Sequence, residues 1–245
     1  MVRRFILIIL IVFIWSCEKN EPFEEILPIE LIEKYSIDIE EPSGLDLGIN
    51  NNSLWTVSDR KSKIYNLDLT GKVLQEISIP ATDLEGIAFD SSNNTIWVVL
   101  EGQGEVLQID MLGNELRRAE LQTVRDGGGL EGITINSANS HLFLVKEKDP
   151  SVILELNTKL ETLLYKRISA ANDYSGIDYN LEENILWLVS DQNKEILKYD
   201  LNGNLLNTYS IDVEKAEGIA VDGNNNLIYI VSDSADSLYV YQLNT

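Results

Sequence analysis

Five residues stand immediately before the glycine of a repeated Ser/Glu-Gly-Ile/Leu tripeptide: Ser43, Glu85, Glu131, Ser175 and Glu217. Sixteen residues after each of them comes an acid, namely Asp59, Glu101, Glu147, Asp191 and Asp233. The two columns together hold eight carboxylates and two serines. Carboxylates gathered in one place repel one another and raise each other's pKa values unless a cation neutralises them. A set of oxygen donors alone suits Ca²⁺, which takes about 6 to 8 oxygens in flexible geometry, better than zinc or copper, which want His and Cys. The spacing therefore predicts a Ca²⁺ site on Glu85, Glu131 and Glu217, with Asp59, Glu101, Glu147, Asp191 and Asp233 as further ligands. Asp59, Asp191 and Asp233 each follow Val-Ser or its equivalent at a strand end. For these three, turn capping is an equal alternative, because Asp bonds its own downstream backbone.

Three neighbouring features qualify that set. The two repeats with serine carry an acid three residues later, Asp46 and Asp178, where the others have Ala88, Thr134 and Ala220. These two are expected to be solvated or strand-pairing acids. Arg60, Lys61 and Lys146 lie beside the acids and are read as solvated surface cations. The single histidine, His141, is expected in a solvent-facing turn at the opposite end of the repeat. No nucleophile elbow, phosphate loop or Cys/His pair is present.

The elements that must position these residues are read from the repeat. The tripeptide glycines fall at 44, 86, 132, 176 and 218, so the period is 42, 46, 44 and 42 residues. Within each repeat a short apolar strand meets an Asn/Ser/Gly turn such as Ser91-Ser92-Asn93-Asn94, the chemistry of a hairpin. A second strand, an alternating third such as Ile196 to Leu201 and a fourth such as Val73 to Ile79 follow. Four strands at a period of about 42 residues predict an all-β fold, a β-propeller of four-stranded blades. The fifth repeat stops after its third strand. Tyr35-Ser36-Ile37-Asp38-Ile39-Glu40 matches Tyr209-Ser210-Ile211-Asp212-Val213-Glu214, the fourth strand of the fourth repeat. The N-terminal strand is thus expected to complete the last blade of five over residues 30–245, leaving no open edge. In a hairpin the start of the first strand lies opposite the end of the second, which puts both acidic columns on one rim, around the channel mouth. Trp55, Trp97, Trp187 and Tyr229 share one strand position and are read as inter-blade packing.

Ahead of the propeller, Arg3-Arg4, an apolar run from Phe5 to Trp15, and Ser16-Cys17 have the layout of a secretory signal peptide over residues 1–16. Ile14-Trp15-Ser16-Cys17 resembles a bacterial lipobox. Cys17 is therefore the expected lipidation site, and residues 17–29 a tether to a membrane of the cell envelope. The chain's 19 basic against 40 acidic residues give 19 − 40 = −21, or 17 − 40 = −23 once Arg3 and Arg4 are removed. A surface this negative repels phosphate backbones, which excludes nucleic-acid binding.

The Ser/Glu-Gly-Ile/Leu strand starts, the Leu-Trp-x-Val-Ser-Asp second strands and the leader together resemble the SdiA-regulated (YjiK-like) bacterial family, distantly similar to NHL-repeat and paraoxonase-like propellers. The resemblance implies a five-bladed propeller, a bound Ca²⁺ and attachment to the envelope. The expected function is an envelope-anchored lipoprotein that binds Ca²⁺ at the channel mouth and acts as a binding or sensing module. The alternative is a Ca²⁺-dependent hydrolase of esters, lactones or phosphate esters, paraoxonase-like or phytase-like.

Overall fold

The computed structural model describes residues 26–27, 29–124 and 128–243. The leader, Cys17 and nearly all of the tether lie outside the described residues. The first blade is β3 (Pro42–Leu47), β4 (Leu54–Ser58), β5 (Lys63–Leu67) and β6 (Val73–Ser78), preceded in the chain by β1 (Ile26–Leu27) and β2 (Glu30–Ser36). The second is β7 (Leu84–Asp90), β8 (Thr95–Leu100), β9 (Glu105–Asp110) and β10 (Glu115–Glu120), and the third β11 (Leu130–Asn136), β12 (His141–Lys146), β13 (Val152–Leu156) and β14 (Thr162–Arg167). The fourth comprises β15 (Gly176–Asn180), β16 (Ile185–Ser190), β17 (Glu195–Tyr199) and β18 (Leu205–Ser210). The fifth holds β19 (Ala216–Asp222), β20 (Leu227–Ser232) and β21 (Ser237–Gln242). Its fourth strand is β2, antiparallel to β21 with Tyr35 opposite Leu238, as the returning sequence requires.

The ring closes through the repeat glycines. A Cβ built on Gly44 would lie 2.9 Å from the Gly86 Cα, one on Gly86 2.8 Å from the Gly132 Cα, and one on Gly132 2.9 Å from the Ile177 nitrogen. The series continues from Gly176 to the Gly218 Cα at 3.1 Å and from Gly218 back to the Gly44 carbonyl carbon at 2.5 Å. Five inner strands meet there backbone to backbone around the axis, and no side chain fits between them.

Five apolar cores hold the blades, each shared by two neighbours. Trp55, Val57 and Ile64 of the first blade, for instance, pack on Ile87, Phe89 and Ile96 of the second. The fifth blade's Tyr229 and Val231 pack on Leu45 and Leu54 of the first. The aromatic column serves this purpose: Trp55 stacks on Phe89 of the next blade with ring centroids 5.7 Å apart, and Trp97, Trp187 and Tyr229 are buried. Each buried side chain of this size contributes about 1.5–3 kcal/mol.

Buried polar struts run alongside those cores, and they revise one expectation. Asp178 is buried and Asp46 half-buried, each bonded to backbone rather than freely solvated. Asp46 accepts the Phe89 N–H of the next blade at 2.6 Å, and Asp178 accepts the Val221 N–H of its next blade at 2.7 Å. Thr134, at the same register position, accepts the Tyr179 N–H at 3.1 Å. These N–H groups face a cavity of about 290 Å³ lined by Asp46, Thr134 and Asp178, and the side-chain acceptor satisfies an N–H that has no ladder partner there. Burial, and for Asp46 also the charge of Asp178, pushes Asp46 well above the usual carboxylate range, and burial raises Asp178 to about 6.

Two more expectations change. Lys146 is buried, its ammonium donating to the carbonyls of Lys148 and Pro150, because the residue ends β12 facing the third blade's interior. Arg60 and Lys61 are surface cations as expected, paired with Glu40 and Glu41. His141 lies at the rim opposite the acids, yet it is the first residue of β12, half-buried, with Nδ1 2.8 Å from Glu155. Phe143 pairs with Glu155 across the ladder, so His141, two residues earlier, is its diagonal neighbour on the same face. One strand was not anticipated: β1 adds to the outer edge of the fourth blade, parallel to β18, with Ile26 opposite Thr208. No helix among the described residues is long and apolar enough to cross a membrane.

Candidate metal centre

Each second-strand acid sits one residue past its strand, and four of the five have their N–H bonded back to the inter-blade link. Asp59 N donates to the Glu41 carbonyl, Glu101 N to Asp83, Glu147 N to Gly129 and Asp233 N to Lys215. The acceptors lie two residues before Ser43, Glu85, Glu131 and Glu217, so the backbone itself holds the two columns together. The predicted common rim follows from this pairing.

At the mouth of the channel lies a cavity of about 210 Å³, lined by Ser43, Asp59, Glu85, Glu131, Glu147, Glu217 and Asp233 together with Glu41, Pro42 and Lys215. Six of the eight predicted acids reach it. Glu101 and Asp191 do not line it. Glu101 accepts the Gly129 N–H at 3.2 Å, and Asp191 accepts the Lys215 N–H at 2.7 Å, so each of these two caps the link into the next blade. Asp191 thus holds the link at Lys215 rather than its own downstream turn. Asp59 and Asp233 instead line the cavity.

Two groups of three carboxylates come close enough for a shared ion, with one oxygen from each member within 4.8 Å of the others: Asp59, Asp83 and Glu85, and Glu101, Glu131 and Glu147. Each group straddles two adjacent blades. Asp83 lies outside the two acidic columns of the sequence. A third column exists three residues before each glycine, holding Glu41, Asp83, Gly129, Asp173 and Lys215, and acids occupy three of its five places. Asp83 is fixed by the Gly102 N–H, and Asp173 by Ser190 and the Gln192 N–H. Glycine at 129 leaves the space that Glu101 fills, since a Cβ there would lie 1.9 Å from the Glu101 Cγ.

The electrostatics of the cavity are those of uncompensated acid. Burial first, then the charges of Glu85, Glu101, Glu147 and Glu217, push Glu131 up to about 10. Burial raises Glu85 to about 8 against the opposing hydrogen bond from the Ser43 hydroxyl at 2.8 Å, and Asp59 adds to the rise. Glu217 is pushed to about 7 by burial and by Asp191 and Asp233, with Lys215 opposing. Asp59 and Asp233 are also raised, by burial and by surrounding acids. Glu147 has a cation of its own in Lys148. Oxygen is the only donor element in either group, which suits Ca²⁺ better than Zn²⁺.

Comparison with solved structures places the architecture among known propellers. A Myxococcus xanthus glutaminyl cyclase matches with a TM-score of 0.68 at 12% identity, over 90% of this chain and 99% of that one. A Staphylococcus aureus virginiamycin B lyase matches with a TM-score of 0.53 at 21% identity over 83% of this chain, which spans 66% of the lyase's length. A nidogen/laminin complex gives a TM-score of 0.58 at 14% identity, over 81% of this chain and 74% of that one. At these identities the likeness is one of fold. The model of the SdiA-regulated family matches residues 29–242, from the start of the closing strand to the end of the fifth blade, and the chain belongs to the SdiA-regulated family.

Proposed function

We propose that this propeller binds Ca²⁺ at its acidic mouth and serves as a calcium-dependent binding or sensing module, held at the cell envelope by a lipid on Cys17. The observation that carries the reading is the pair of three-carboxylate groups, Asp59, Asp83 and Glu85 and Glu101, Glu131 and Glu147, each with two members lining one cavity. A fold whose central acids are pushed up to about 8 and about 10 keeps them protonated near neutrality, and a divalent cation is the species that would stabilise them ionised. Each group takes ligands from two blades, so occupancy would tighten the joint between them and convert ion binding into rigidity of the ring. Calcium titration of the soluble domain, residues 30–245, tests this. Binding heat and a raised melting temperature are expected, and no response at millimolar Ca²⁺ would sink the reading.

One observation favours the hydrolase alternative enough to test beside it. Glu217, on the same cavity and at about 7, has the proton affinity of a general base at neutral pH. Ca²⁺ there would supply polarisation of a bound ester or phosphoryl oxygen. Turnover of an ester, lactone or phosphate-ester panel with Ca²⁺, abolished by Glu217→Gln, would select the enzyme. A stable, calcium-binding and inert protein selects the module.

A further inference from the structure

The ring of repeat glycines divides the axis into two cavities of different chemistry. The acids of the calcium mouth precede the glycines in the chain, whereas Asp46, Thr134 and Asp178 follow them and line the cavity of about 290 Å³ on the far side. That far cavity is bordered by apolar residues such as Leu47, Ile135 and Val221, and by the turn residues Asn50, Ser91 and Asn224. Among the described residues no Lys, Arg or His lines it, so an anion finds no counter-charge there. Its two aspartates are held rigidly by backbone. Asp46 Oδ1 accepts the Leu47 N–H at 2.7 Å and Oδ2 the Phe89 N–H at 2.6 Å, while Asp178 Oδ1 accepts the Tyr179 N–H at 2.8 Å and Oδ2 the Val221 N–H at 2.7 Å. A carboxylate offers about four acceptor sites, so both keep capacity for a donor in the cavity.

Asn180 supplies a donor beside these acceptors. It lines the cavity, is 6% exposed, and stands two residues beyond Asp178 on β15, hence on the same face of that strand. Its Oδ1 accepts the Glu183 N–H at 2.9 Å, which fixes the orientation of the amide, and its Nδ2 has no hydrogen-bond partner among the described residues. The equivalent residues of the second and fifth blades are Asp90 and Asp222, and the second oxygen of each accepts from a neighbouring amide, of Asn93 and of Asn225. Asn136, the equivalent in the third blade, does not line the cavity. Gly223 keeps the Asn180 amide free, since a Cβ there would lie 2.6 Å from Nδ2. A buried donor without an acceptor is costly, and this one borders an open cavity.

We infer that the far cavity binds a neutral polyhydroxylated ring, a sugar or cyclitol, through Asp46, Asp178 and Asn180. A hydroxyl both donates and accepts, so neighbouring hydroxyls give to the carboxyls and take from the amide. An ammonium would satisfy the acids alone and leave the Asn180 donor unmet. The C–H faces of such a ring suit the apolar border, and a volume of about 290 Å³ stands at the lower end of small-molecule sites, room for one ring. The cavity shares no lining residue with the acidic mouth, so the inference is independent of the calcium reading.

The test is saturation-transfer NMR on the full-length chain, in a detergent without a sugar headgroup, with methyl glucoside, methyl galactoside, xylose and myo-inositol as probes. Transfer to the ring protons of at least one probe is expected, equal in calcium and in chelator. Asn180→Asp keeps the oxygen that caps Glu183, as Asp90 and Asp222 do in their own blades, but removes the amide donor, and should weaken binding about tenfold or more. Gly223→Ala sets a methyl against the same amide without adding charge and should weaken binding likewise, with a melting curve that reports the fold intact. No transfer from any probe at about 50 mM overturns the inference, as does transfer that both variants leave at full strength. A response lost in chelator also overturns it, because the probe would then sit at the acidic mouth. So does ethylammonium that binds more tightly than every neutral probe and gains affinity in Asn180→Asp, because the site would then be one for a cation.

Discussion

Calcium binding at this mouth should expel protons, in a number set by the site's own geometry. Glu131, at about 10, is protonated near pH 7.5, and Glu85, at about 8, holds roughly three-quarters of a proton there. An ion on Glu101, Glu131 and Glu147 therefore releases about one proton, and ions on both groups release about 1.8. Removing the Glu131 proton at that pH costs about 2.5 × 1.36, or roughly 3.4 kcal/mol, so affinity for this group should tighten about tenfold per pH unit up to pH 10. The two groups are told apart at pH 9, where Glu131 still holds about 0.9 proton and Glu85 only about 0.1. Isothermal calorimetry in buffers of different ionisation enthalpy reads the proton count as the slope of heat against that enthalpy. Glu131→Gln should lower the count by about one and weaken binding. Calcium heat that is identical in every buffer, with affinity flat between pH 6.5 and 9, would refute the reasoning, because the ion would then be binding somewhere other than on the buried acids.

Without calcium, stability should rise as pH falls from 8 to 6. The raised carboxyls, including Asp178 at about 6, bind protons in the folded state that the unfolded chain gives up near pH 4, so stability declines as pH climbs through the folded values. A chelator-treated melting curve that is flat or reversed over that range contradicts the assignment. Asp46→Ala strips the acceptor from the Phe89 and Leu47 N–H groups and should cost about 1–3 kcal/mol in urea unfolding. Lys146→Met leaves the Lys148 and Pro150 carbonyls without their buried donor and should cost a similar 1–3 kcal/mol or so, without abolishing calcium binding. Gly218→Ala places a methyl 2.5 Å from the Gly44 carbonyl carbon. Since backbone cannot step aside, it should destabilise by at least about 1–3 kcal/mol or prevent ring closure, read by yield and thermal melting.

Fold and blade number were legible in the chain because a propeller is written in one dimension: each blade repeats the strand grammar, and Tyr35 to Glu40 announces its own place by matching Tyr209 to Glu214. The carboxylate rim was legible for the same reason, since a constant spacing of 16 between two columns on a hairpin keeps them at one end of it. Tertiary structure decided the rest. Which acids share a cavity depends on blade-to-blade contacts with no fixed sequence spacing, so Asp83 joined Asp59 and Glu85 while Asp191 turned to cap Lys215. Whether a polar residue is solvated depends on what packs over it: Asp46 and Asp178 are drawn in by N–H groups of the next blade's inner strand, and Lys146 is buried on C=O groups of the turn that follows it.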